Sequence, residues 1–198
     1  MSEDRNTTAR PLFEPSPGAP TREDVLDAAH ALLASGLKAL TVRALCDRLS
    51  TSRQLVYSRF GNKEGLLEAL YVDGFRKLQE RVETSELPRG SAERLIDHGV
   101  KYRAFALEHP HLFALMFFPT RGFEPSAEAL AAAARSFAAV TVSAAEFMGV
   151  DPTDAAAGRM ARDLWAATHG VVSLEGAGHA ASSVEGMLGR MIASRASR

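Results

Sequence analysis

The chain has one cysteine, Cys46, in 198 residues. A single thiol cannot close an intramolecular disulfide or build a cysteine-based zinc site, so neither scaffold is open to this sequence. Long apolar runs are also missing. The uncharged stretches His109–Thr120 and Leu164–Leu174 fall short of the ~18 or more apolar residues a membrane span needs. Met1–Arg10 is polar, carries Glu3, Asp4 and Arg5, and lacks the apolar core of a signal peptide. A cytoplasmic protein without a membrane partner is the expectation. Alternating β-branched runs bounded by turn residues do not occur, which leaves no strand to predict. Charge of one sign is not in excess either, the formal net being −1. What remains, 46% hydrophobic and 24% charged residues, is too apolar for a disordered chain.

The small net charge conceals a segregated one. Residues 35–63 carry six basic side chains (Lys38, Arg43, Arg48, Arg53, Arg59, Lys63) against the single acid Asp47, while every other part of the chain is net acidic. A +5 window cancelled by a −6 remainder suits a small polyanion-binding module on a neutral to acidic body.

Prolines and glycines divide the chain into helical segments. Pro11, Pro15, Pro17 and Pro20, with Gly18, mark residues 1–20 as a flexible arm. Thr21 caps a helix with Val25, Leu26, Ala29, Leu32 and Leu33 that ends near Gly36. Thr41 and Ser52 cap two short helices, and Asn62 caps a longer one carrying Leu67, Leu70, Phe75, Leu78 and Val82. Ser91 opens a fifth. His109–Phe118 is short and apolar, and Ser126–Met148 holds ten alanines between 127 and 145. Asp151–Pro152 reads as a cap with proline at the first helical position, and a last helix carries Val184, Leu188 and Ile192. The prediction is an all-α fold of about nine helices.

Thr41–Phe60 places two short helices, joined at Ser50–Thr51, inside the basic window. Such a pair can set its second helix in a DNA major groove, where only one exposed face and the N-terminal turn reach base edges. Arg53, Gln54 and Ser58 are the polar residues of that face. Leu55 is placed to touch a thymine methyl, and Val56 and Phe60 are expected to pack inward. The helix N-termini at Thr41, Ser52 and Asn62 offer free amides to phosphate oxygens.

These residues carry a resemblance. Thr21-Arg22, Ala28-Ala29, Gly36, Leu40-Thr41-Val42-Arg43, Ser52-Arg53, Tyr57, Phe60, Lys63-Glu64 and Leu66-Leu67 fall in one register over residues 21–67. That stretch resembles the DNA-binding domain of the TetR family of transcriptional regulators. The resemblance implies that Thr41 and Lys63 bind phosphate, that Tyr57 lies against the backbone and that Arg53, Gln54 and Ser58 face bases. Arg59 stands where the family often has histidine, a further phosphate contact, and Arg43, Ser52 and Leu55 complete the implied DNA-facing set. Ser50 and Thr51 replace the family's turn glycine and the apolar residue after it. Serine takes the left-handed conformation only at a cost, which leaves the shape of this turn open.

Residues 68–198 are expected to form a helical effector-binding and dimerisation domain. Tyr102–Pro110 with Leu115-Met116-Phe117, and Leu164–Gly170 around Trp165, His169 and Gly170, resemble the family branch named for a Trp–His–Gly signature. Trp165 and His169 share a helix face, and Gly170 allows a second helix close by. Trp165 with Phe105, Phe113, Met116, Phe117 and Phe137 either lines a cavity for a small apolar or amphipathic effector, with Tyr102 and His169 as polar handles, or forms a filled core in which His169 bonds a backbone carbonyl. Gly- and Met-rich sequence in the last two helices suits close helix pairing. The resemblance implies a homodimer through these helices, and hence a palindromic DNA operator. No catalytic constellation, cofactor motif or metal-ligand spacing is present: His109 and His111 flank Pro110 without supporting acids. The function implied is a sequence-specific, effector-released regulator, most often a repressor. The alternative is a family-fold protein without small-ligand response, acting as an activator or interaction scaffold.

Overall fold

A computed structural model describes residues 18–118, 120, 122–179 and 183–196. Most of the arm expected over residues 1–20 therefore lies outside the described residues. Ten helices follow one another: α1 (Arg22–Leu33), α2 (Val42–Leu49), α3 (Arg53–Phe60), α4 (Lys63–Glu83), α5 (Ala92–Glu108), α6 (Pro110–Phe117), α7 (Ala127–Ser136), α8 (Ala138–Met148), α9 (Ala155–Gly176) and α10 (Val184–Ala196). No named strand occurs among the described residues, only an isolated bridge between Thr120 and Phe123.

Most starts are fixed by side-chain caps of the kind the sequence advertises. Thr21 accepts from the Asp24 amide while the Asp24 carboxylate accepts from the Thr21 amide, a reciprocal capping box. Thr41, Ser52, Asn62, Ser91 and Ser126 cap α2, α3, α4, α5 and α7 in the same three-residue reach. Two places depart from expectation. The Ser126–Met148 stretch breaks at Phe137, whose amide bonds the Ala134 carbonyl one residue short of helical register, and this adds the tenth helix. Helix α9 starts at Ala155 under an Asp154 cap, because Asp151 is drawn into a turn by the Thr153 amide and hydroxyl.

Two apolar cores result. One runs without interruption from Val25, Leu45, Leu55 and Phe60 of α1–α3, through Leu66, Leu70 and Phe75 of α4, to Phe105 and Phe113. The other joins Leu95 of α5 and Ala144 of α8 to Met160, Leu164 and Val171 of α9 and Val184, Leu188 and Ile192 of α10. Helix α10 sits tightly on α5, since a Cβ on Gly99 would lie 2.4 Å from a Leu188 methyl. Gly170, expected to admit a neighbouring helix, instead faces open space.

Taken together, α7 and α8 (Ala127–Met148, 22 residues) are long and apolar enough to cross a membrane by length and composition. Uncharged runs alone did not reveal this stretch. Its apolarity is largely alanine, Arg135 interrupts it, and Ser143, Ala144 and Ala145 are buried against the body.

The α2–α3 turn keeps a left-handed residue despite the loss of glycine. Ser50 has φ 49° and ψ 46°, and it is the sole non-glycine residue with positive φ among those described. A side chain there costs about 1–2 kcal/mol, partly offset by the greater unfolded-state freedom of glycine. Ser50→Gly should therefore raise stability by about 0.5–1 kcal/mol, read as a higher urea midpoint with an unchanged slope.

Candidate nucleic-acid interface and effector cavity

The basic window runs from the loop after α1 through α2 and α3 to the start of α4, with most of its charged side chains at the surface. Lys38, Arg43, Arg48, Arg53 and Lys63 are all exposed. Among the described residues only Arg43 of this set has an ion-pair partner, Asp47 at 3.8 Å, and both are so open to solvent that the pair contributes little. Arg53, Gln54, Tyr57 and Ser58 are exposed on α3, so all three expected base-facing side chains share its outer face. Thr41 and Ser52 spend their oxygens on capping amides, but each hydroxyl hydrogen is still available to a phosphate.

Two members of the expected DNA-facing set lie elsewhere. Leu55 is only 4% exposed and belongs to the core with Val56 and Phe60. On an eight-residue helix whose inner stripe must cover the core below, a leucine beside Val56 turns inward, so the thymine contact is withdrawn. Arg59 is half-buried and reaches back to the Pro20 carbonyl at 3.5 Å, while Arg22 lies over the Phe60 ring. These contacts tie the start of α1 to the end of α3 rather than aim Arg59 at a backbone phosphate.

Asp73 of α4 is 8% exposed and collects the charges where the basic end meets the body. His30 Nε2 of α1 stands 2.6 Å away, Arg76 donates from Nε and Nη2, and Lys77 Nζ lies at 3.0 Å. Burial alone would raise this carboxyl, but the hydrogen bonds from His30, Arg76 and Lys77 outweigh it and hold Asp73 well below the usual carboxylate range.

A cavity of about 450 Å³ occupies the body. Helix α4 supplies its floor as a stripe of Tyr71, Phe75, Leu78, Gln79 and Val82, spaced by three and four residues along one face. Tyr102 of α5, Met116 and Phe117 of α6, Phe137 between α7 and α8, and Trp165 of α9 complete the aromatic wall. Five of the eight residues expected at an effector site thus meet around one cavity. Phe105, Phe113 and His169 do not line it. Phe105 and Phe113 are core residues at 2% and 6% exposure. His169 Nδ1 is 2.7 Å from the Tyr102 hydroxyl, and its ring stacks on Phe113. The two expected handles therefore satisfy each other, and the partner of His169 is a side chain rather than a backbone carbonyl. Burial lowers the His169 pKa and raises that of Tyr102, so both stay neutral near pH 7.

Three polar residues at this site were missed. Arg162 borders the cavity with no ion-pair partner among the described residues, and Gln79 keeps its amide oxygen free while its nitrogen bonds Glu83. His98 of α5 is 5% exposed and neither ring nitrogen has a hydrogen-bond partner. Burial, helped by the positive Arg94 nearby, pushes its pKa down to about 4. The sequence disguised it: Asp97 and Lys101 beside it pair at 3.0 Å and give that stretch the look of a solvated face.

The family now follows from comparison. Residues 95–194 match the model for the Tetracyclin repressor-like, C-terminal domain, and residues 25–70 match that for bacterial regulatory proteins of the tetR family. The chain belongs to the TetR family of transcriptional regulators, which are DNA-binding proteins and not enzymes. The C-terminal match establishes a TetR-type C-terminal domain, and its description does not speak to the Trp–His–Gly signature. No curated protein sequence matches the chain. Similar solved structures include a protein from Rhodococcus sp. RHA1 at 23% identity, covering 94% of this chain and 96% of that one with a TM-score of 0.71. The TetR family transcriptional regulator PfmR from Thermus thermophilus is similar at 19% identity, 75% and 84% coverage and a TM-score of 0.55. TetR from Acinetobacter baumannii AYE is similar at 20% identity, 88% and 94% coverage and a TM-score of 0.55. At such identities the likeness is one of fold.

Replacing Asp73 with asparagine should cost about 1–3 kcal/mol at pH 7, because Arg76, Lys77 and His30 lose their shared charged acceptor. A carboxylate depressed in the folded state contributes stability above its unfolded pKa and loses it as pH falls through the folded value. The gap between wild type and Asp73→Asn in urea unfolding should therefore be largest near neutrality and shrink below about pH 4.

Proposed function

We propose that the chain is a homodimeric operator-binding regulator, in the simplest case a repressor, that a small apolar or amphipathic effector releases from DNA. Residues 21–67 serve as the DNA-binding unit, 68–198 as the effector-binding and dimerisation unit, and 1–20 as an arm. The observation that carries this reading is the double use of α4. Its Tyr71–Val82 stripe floors the cavity, and its Asn62-capped N-terminus presents Lys63 beside the recognition helix α3. A helix of 21 residues is about 31 Å long, so a small tilt set by cavity contents displaces its far end.

Arg53, Gln54 and Ser58 read base edges. Thr41, Arg43, Ser52, Tyr57 and Lys63 hold phosphates. Dimerisation uses α9 and α10, where Ala166, Gly170 and Leu174 are exposed along one side of α9. Two-fold symmetry then requires a palindromic operator with half-sites spaced by whole helical turns. A variant of TetR from Acinetobacter baumannii AYE, similar to this chain at 21% identity, has been solved in complex with minocycline. That neighbour supports a ligand-bearing body for the fold and says nothing of the effector here.

Selection of a palindromic duplex from random DNA, followed by titration, tests the assignment. Arg53→Ala and Gln54→Ala should each weaken the selected site by about 1–3 kcal/mol and relax preference at one position per half-site. Lys63→Ala should weaken all duplexes alike and reduce the salt slope by about one per contact. Unchanged affinity and selectivity in both α3 variants would overturn the base-reading assignment, and a protein that selects no duplex would favour the scaffold alternative.

A further inference from the structure

The cavity does not end at Tyr102 and Trp165. A recess of about 40 Å³ adjoins it and shares Val82, Tyr102, Val140 and Trp165 as walls. Beyond them the recess is lined by Leu95, Gly99, Leu164, Thr168, Leu188 and His98. Almost all of this lining is apolar, and apart from the half-exposed Trp165 indole its polar side chains are paired with one exception. The Tyr102 hydroxyl is held by His169, and the Thr168 hydroxyl donates to the Leu164 carbonyl at 2.8 Å. His98 alone borders the recess with both ring nitrogens unpartnered, at 5% exposure. A buried polar group left in that condition costs free energy that any bound group able to pair with it recovers.

We propose that His98 is the inner anchor of the effector site, and that the effector is an elongated, mostly apolar molecule whose inner end carries an uncharged hydroxyl hydrogen-bonded to the His98 imidazole. This rests on the effector-binding reading above and extends it to the chemistry of the ligand. A neutral imidazole offers one donor and one acceptor, and a hydroxyl, which is both, serves either ring nitrogen in either tautomer. An ionised inner end does not fit. The residues lining the recess include no carboxylate to meet an ammonium and no cation to meet a carboxylate, and burying an unpaired charge costs far more than one hydrogen bond returns. The charged Glu83, Arg89, Arg94 and Glu146 line a separate pocket that His98 also borders. A carboxylate on the effector belongs at the other end, where Arg162 stands exposed at the cavity wall. Size agrees as well: a recess of this volume accepts the tip of a chain or the edge of a ring, not a second ring system.

Trp165 is the sole tryptophan and forms part of both walls, so its fluorescence reports occupancy directly. The full-length protein would be titrated with 4-butylphenol and with butylbenzene, which differ by one hydroxyl. Wild type should bind 4-butylphenol about tenfold more tightly, the return expected of one buried hydrogen bond. His98→Leu should bring the two affinities together, the ratio being the readout whatever the new side chain does to butylbenzene binding itself, and His98→Gln, which keeps a donor and an acceptor, should restore part of the preference. Equal affinities in wild type, as a water satisfying His98 would give, or a preference that survives in His98→Leu, overturn the anchor and leave the cavity standing. Failure of both probes to perturb Trp165 in wild type removes the cavity as an effector site, and the anchor with it. The wild-type and His98→Gln titrations decide the matter even if His98→Leu does not fold.

Discussion

Helix α4 must bury different neighbours along its length with a single chain of side chains. Near its start Leu66, Leu67 and Leu70 complete the core of the basic end, and from Tyr71 onward the same helix turns aromatic residues and Gln79 toward the cavity. The two duties meet at Gly74 and Asp73. A Cβ on Gly74 would lie 2.7 Å from Met116 Sδ, so α6 closes on α4 only because that side chain is missing. One residue earlier, Asp73 holds His30 of α1 while Arg76 and Lys77 surround its carboxylate. Because the apolar core crosses this point without a break, α1–α3 and the body are joined through packing as well as through the chain. A change in the cavity floor has no slack linker in which to dissipate.

The site at the basic end is of a different kind. Its charges are exposed and, among the described residues, largely unpaired, on helices started by caps at Thr41, Ser52 and Asn62. Exposed cations with no internal partner add little to folding, but they remain available to an external polyanion. The acidic remainder of the chain opposes the same polyanion. Charge distribution, not net charge, is the property that matters for such a molecule.

Elements governed by local chemistry were legible in the sequence. Caps, proline positions and 3.6-residue periodicity located the starts of α1 to α7 closely, and Arg53, Gln54 and Ser58 were placed on an outer face by spacing alone. What the sequence hid depended on tertiary neighbours. Leu55 turned inward because α3 has only eight residues with which to cover its share of core, and Arg59 folded back to Pro20 across 39 positions of sequence. Phe105 and Phe113 could not be told from cavity-lining residues by type, since both uses demand a large apolar ring. His98 was invisible because its neighbours Asp97 and Lys101 are charged, and burial of one residue in a mixed stretch is decided by what packs there.

The tight seat of α10 on α5 gives the molecule a property of its own. Leu188 rests against Gly99, one residue from His98, and is itself a wall of the inner recess. The recess is thus partly built from the helix proposed above to pair with a second subunit. Any occupant that wedges Leu188 outward works against that helix pairing, and thermodynamic reciprocity obliges the pairing to work against the occupant in equal measure. On the proposed dimer and effector site, assembly state and small-molecule affinity would form one linked equilibrium, so the ligand concentration that half-fills the protein would depend on how much protein is present.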